Sequence, residues 1–145
     1  MATQISKNFT LEELCASSTA TANKISNVPG KQEQANLCAL VHFVLQPLRD
    51  HLGHGISISS GYRCPALNSK VGGVSNSQHV KGQAADINIK GDMNAGKAWF
   101  DYIKKNLDFD QLIWEHSKAG VYWIHVSYRS DGKNRKQVIN NLLKS

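Results

Sequence analysis

The apolar positions of this chain change their spacing several times, and each change marks an element. Leu37, Leu40, Val41, Val44, Leu45 and Leu48 recur every three or four residues. That spacing predicts one amphipathic helix over residues 32–52. Pro47 interrupts it, removing a backbone donor and crowding the preceding turn, and Gly53 and Gly55 end it. Upstream, Thr10 and Glu13 have the spacing of a capping box, with Phe9 placed to staple the turn against Leu14. Residues 17–30 are rich in Ser, Thr, Ala and Asn and read as a loop. Past Gly55 the period falls to two. Ile56-Ser57-Ile58-Ser59 predicts a strand. Residues 65–71 predict a short helical turn closed by Gly72-Gly73. A second strand, residues 84–89, puts Ala84, Asp86 and Asn88 on one face and Ala85, Ile87 and Ile89 on the other. Ala95, Ala98, Trp99, Tyr102 and Ile103 mark a helix ending near Asn106. Residues 112–116 and 121–128 predict a hairpin around Ser117-Lys118-Ala119-Gly120.

Helices before and between strands of this kind predict an α+β fold: one domain, a small mainly antiparallel sheet, and helices packed on one side. No repeat or linker divides residues 1–145. The core is expected over about 32–128, followed by a basic tail over about 131–145 that contains Lys133, Arg135 and Lys136. No segment approaches the ~20 apolar residues of a membrane span, so membrane insertion is not expected. The first eight residues show no charged segment followed by an apolar one, which predicts synthesis in the cytoplasm without a signal peptide. Three cysteines, Cys15, Cys38 and Cys64, cannot all pair within one chain and predict free thiols. Cys15 and Cys38 lie among apolar residues and are expected to be buried. A net charge of +6 points to polyanionic partners. Nucleic acid is the weaker of these, because the chain lacks zinc-finger cysteine spacing and a clear helix-turn-helix.

The run Ser77-Gln78-His79-Val80-Lys81-Gly82-Gln83-Ala84-Ala85-Asp86 changes the picture most. It offers an imidazole and a carboxylate seven residues apart, with Gly82 and Ala84 keeping the link compact. Asp86, between Ala85 and Ile87 in a half-buried strand, needs a partner to offset its desolvation. His125, within Trp123-Ile124-His125-Val126-Ser127, is the candidate third ligand. Two histidines and one carboxylate suit zinc and leave a fourth position open, as catalytic sites do. The alternatives are a surface His79 and a core His125 hydrogen-bonded within the protein.

The pattern S-x-H-x-x-G-x-A-x-D, with Ser60-Gly61-Tyr62-Arg63 upstream and Gln111-Leu112-Ile113-Trp114-Glu115 and Trp123-Ile124-His125 downstream, resembles the zinc D-alanyl-D-alanine carboxypeptidases and related murein peptidases. Their wider group also holds lysostaphin-type enzymes and the hedgehog amino-terminal domain. The resemblance implies a zinc metallopeptidase acting on peptidoglycan stem peptides, as a carboxypeptidase or an endopeptidase. It implies one Zn2+ on His79, Asp86 and His125, with Arg63, Ser77 and Gln78 binding substrate. Arg63 offers a planar fork for a carboxylate. Many relatives carry a glutamate just before the last histidine; here Gly120-Val121-Tyr122-Trp123 has no acid, and Glu115 is the nearest candidate for the catalytic base. A four-residue loop would turn Glu115 away from His125, so an odd-numbered or bulged hairpin is expected. A monomer acting on the cell wall, with phage-type endolysin release as one route there, completes the expectation. The alternative is a non-catalytic zinc-containing binding domain of hedgehog type.

Overall fold

The computed structural model describes residues 3–141. The polar start, which shows no strand pattern, pairs Gln4–Ser6 (β1) with Phe9–Thr10 (β2) in a small antiparallel ladder. Thr10 then caps Leu11–Cys15 (α1). Its hydroxyl accepts from the Glu13 N–H at 3.3 Å, and the Glu13 carboxylate accepts from the Thr10 N–H at 3.0 Å. The capping box forms as its spacing predicts, and Phe9 and Leu14 are both buried in the main core. Residues 17–30 are not all loop. Ser18–Ala22 (α2) is helical, with the Ser17 hydroxyl accepting from the Ala20 N–H at 3.1 Å as its cap.

The long apolar stripe becomes one rod of three parts: Lys31–Leu40 (α3), a π-helical stretch Val41–Leu45, and Gln46–Leu52 (α4). Pro47 accounts for the middle part. In a continuous α-helix its ring would press on the Phe43 carbonyl. The wider turn, in which Gln46 N–H donates to Val41 O, relieves that crowding without breaking the rod. Gly53, at φ 72°, closes α4 in the left-handed conformation.

The remaining elements are Ser57–Ser60 (β3), Pro65–Lys70 (α5), Ala84–Asn88 (β4), Met93–Asn106 (α6), Gln111–His116 (β5), Tyr122–Ser127 (β6) and Gln137–Asn140 (β7). They build a five-stranded sheet in the order β3-β4-β6-β5-β7, antiparallel except for β7 beside β5. The fold is therefore α+β, as the pattern predicts. β7 lies within the expected basic tail and gives part of it a regular place.

One face of this sheet is dry. Ala85, Ile87, Leu112, Trp114, Ile124 and Val126 join the helical stripe in a single core. Phe100 of α6 meets Trp114 edge-on, with ring centroids 5.8 Å apart. Tyr62, Trp114 and Tyr128 are core residues, while Trp123 is only partly buried. The cysteines are free as expected, but Cys15 and Cys38 are half-buried rather than fully buried. The other face of the sheet carries the alternate residues, including Asp86, His125 and Glu115.

Candidate metal centre and its cleft

Strand register assembles the centre. Asp86 on β4 is directly opposite His125 on β6, and His125 is opposite Ile113 on β5. The adjacent row on the same face is Asn88, Trp123 and Glu115. Residues 117–121 form the hairpin connection, so Glu115 faces Trp123 and not Tyr122. The loop has odd length, as expected, and Glu115 shares the face of His125.

His79 enters from the turn that precedes β4. That turn depends on Gly82, which has φ 73° and whose added Cβ would lie 2.5 Å from Glu33 O. His79 is buried, and its Nδ1 is 2.7 Å from Gly61 O, so Nδ1–H donates to that carbonyl. Neutral His79 then points a bare Nε2 at Asp86 Oδ1, 3.3 Å away. His125 Nδ1 lies 3.1 Å from the same oxygen. The three donor atoms lie within 4.8 Å of one another.

Two acceptors facing each other inside a protein need a cation between them, either a proton or a metal. A zinc tetrahedron with ~2.0–2.1 Å arms has edges of about 3.3–3.4 Å, which is the scale of these separations. The anchored Nδ1–H of His79 is the usual outer contact of a ligating histidine. The donor set therefore fits zinc. Where the cation is a proton, burial opposes ionisation of Asp86, but the hydrogen bonds it then accepts from His125 and His79 outweigh that and hold the carboxyl well below its ordinary range.

Arg63 stands beside this cluster. Its N–H donates to His79 O at 3.1 Å. Asn27 braces both neighbours, donating to Tyr62 O at 2.9 Å and accepting from the Cys64 N–H at 2.7 Å. Arg63 Nη2 reaches Ser77 Oγ at 3.4 Å, while its buried Nε has no partner among the described residues. Burial pulls the guanidinium below its ordinary pKa, and the nearby Asp86 and Glu115 carboxylates oppose that. Arg63 opens with Asp86 onto a pocket of about 220 Å³. Ser77, Gln78, Glu115 and His125 line a larger cleft of about 560 Å³.

Sequence reasoning missed Asp110. Fully buried, it accepts from Gln78 Nε2 at 2.7 Å and from Arg135 Nε and Nη2 at 3.0 and 2.8 Å. Hydrogen bonding to Arg135 lowers its pKa to about 2, against burial. It thereby ties the His79 turn to the start of β5 and to the segment before β7.

Peptidase M15 is the family that matches residues 7–127. The chain belongs to this family. A comparison with curated proteins finds no match. Membership makes the protein a metallopeptidase of the type whose members depend on zinc, and the His79, Asp86 and His125 group is compatible with that. Among the described residues, no helix is long and apolar enough to cross a membrane.

Proposed function

We propose that this M15 peptidase cleaves peptidoglycan peptides with one zinc on His79, Asp86 and His125, as a carboxypeptidase or as a stem or cross-bridge endopeptidase. The observation that carries the reading is the shared face of Asp86, His125 and Glu115, a metal donor set with an acid one row away. Bound there, zinc supplies Lewis acidity, polarising a peptide carbonyl and acidifying water. Glu115 accepts a proton from the attacking water and returns it to the departing amine. Arg63, whose buried Nε has no partner among the described residues, grips a substrate carboxylate. Ser77 and Gln78 hold the peptide backbone along the larger cleft. Gly61, through its carbonyl, keeps His79 in the tautomer that leaves Nε2 free.

Mass spectrometry of purified muropeptides after digestion, with and without a chelator, tests the activity and names the bond. Metal analysis tests the site: His79→Ala and Asp86→Ala should each abolish stoichiometric zinc. Unchanged zinc in both variants, or muropeptides left intact by zinc-loaded protein, overturns the proposal.

A further inference from the structure

A second cavity, of about 340 Å³, lies where α4 ends and β4 turns into α6. It shares no lining residue with the cleft or with the Arg63 pocket. Asn88 and Ser57, paired across β4 and β3, form the edge nearest the metal centre. Asn88 stands two residues from Asp86 on the same strand, about 7 Å along it.

Two aromatic residues of α6, Trp99 and Tyr102, meet histidines from the end of α4. His51 lies flat on Tyr102, with ring centroids 3.7 Å apart and planes within 9°. His54 does not repeat this on Trp99. Its ring is 6.0 Å away and tilted by 50°. Trp99 packs against the core, is half-buried, and lines the cavity with His54. The rim is polar and held in place. Asn88 Oδ1 accepts from the Lys90 N–H at 2.8 Å, and Asp92 Oδ1 accepts from the Ala95 N–H at 3.0 Å. Asn88 Nδ2, Asp92 Oδ2 and the Lys90 ammonium have no partner among the described residues.

This lining selects its ligand by chemistry. One lysine and one aspartate offset each other, so the rim favours neither an anion nor a cation. A wholly apolar ligand would cover these groups and leave them unsatisfied. A hydroxyl both donates and accepts, so carboxylate, amide and ammonium all serve it. The indole adds a flat apolar wall for ring carbons. We propose that the cavity binds one neutral pyranose ring, a sugar unit of a glycan, with its carbon face on Trp99 and its hydroxyls on Asn88, Lys90 and Asp92. Small-ligand sites span ~300–1,000 Å³, and this one is at the lower end, as a single ring requires. The inference goes beyond the peptidase reading and does not need it, since hydrolysis plays no part in its test.

The test is a titration of zinc-loaded, ¹⁵N-labelled full chain, read at the indole N–H signals of its three tryptophans. Trp99→Phe assigns the Trp99 signal by removing it. The probes are a β-linked glucose trimer, an N-acetylglucosamine trimer and adenosine. With at least one trimer the Trp99 signal should shift and saturate with a Kd of about 1 mM, the strength expected of one ring. The signals of Trp114 and Trp123, whose indole nitrogens are buried in the sheet, should stay in place. The ratio of the two trimers names the sugar. Asn88→Ala with Lys90→Ala should weaken binding about tenfold, with the Trp114 and Trp123 signals unchanged as evidence of an intact fold. No shift of Trp99 up to about 20 mM of either trimer overturns the site. So does a shift of Trp123 in its place, adenosine binding more tightly than both trimers, or a rim variant of unaltered affinity.

Discussion

A single oxygen, Asp86 Oδ1, lies 3.1 Å from one imidazole and 3.3 Å from the other, and much of the chemistry follows from that crowding. Glu115→Gln leaves this donor set untouched, so zinc should stay while turnover falls by about 10²-fold or more, because an amide cannot accept the proton. Metal analysis beside single-turnover rates checks both halves. Arg63→Lys keeps the charge but loses the planar fork. A rise in KM with kcat nearly unchanged is expected, and wild-type kinetics would make Arg63 a bystander. Asp110 contributes to acid stability. Its folded pKa, about 2, lies below the ordinary value of 3.8, so its contribution is complete above about pH 4 and is lost as pH falls toward 2. Melting curves at these two pH values should converge for Asp110→Asn more than for the wild type. The grouping of His79, Asp86 and His125 was legible in the sequence because the first two are local to one turn and one strand and the third stands in the Trp123-Ile124-His125 run of another. Asn27, Asn36 and Asp110 were not. Each is an ordinary polar residue whose role arises from contacts remote in sequence, such as Asn36 with Lys81 and Ser130.

At the level of elements, periodicity identified the strands and the long helix because those have one dry face. It failed where an element has little to bury. β7 contributes only Val138 and Ile139 as apolar residues, and exists because β5 offers it a parallel partner. β1 and β2 total five residues and are held by pairing to each other. The π stretch was half legible: Pro47 announced a disturbance, but sequence alone does not say whether a helix breaks or widens. The hairpin offers the sharpest test. Deleting Ala119 leaves an even connection, which must either turn Glu115 off the site face or force Leu112 and Trp114 out of the core. The second outcome should cost at least ~3 kcal/mol. Deleting two residues keeps the parity and should keep the face of Glu115. Turnover and melting temperature of the two deletions should therefore rank in the opposite order to their size.

For the whole molecule, the donor atoms are gathered in a folded scaffold whose core is independent of them, so metal should add stability without being required for folding. Free zinc at 100 times its Kd adds about 2.7 kcal/mol, which for a domain of this size corresponds to roughly 5–11 °C in Tm. Scanning calorimetry with zinc and with chelator checks this, and an unfolded metal-free chain would contradict it. The sheet order carries one more implication. β5, the floor of the cleft, has β6 on one edge and, from Gln111 to Trp114, β7 on the other, so over that stretch both edges are taken up by strand pairing. A peptide lying over β5 meets side chains and cannot add itself as another strand there. Strand addition is what normally imposes L-handedness on a bound chain, because its ladder admits one backbone chirality. Over this stretch of β5 that ladder is already filled, so the handedness of a bound chain is left to side-chain contacts rather than to strand pairing.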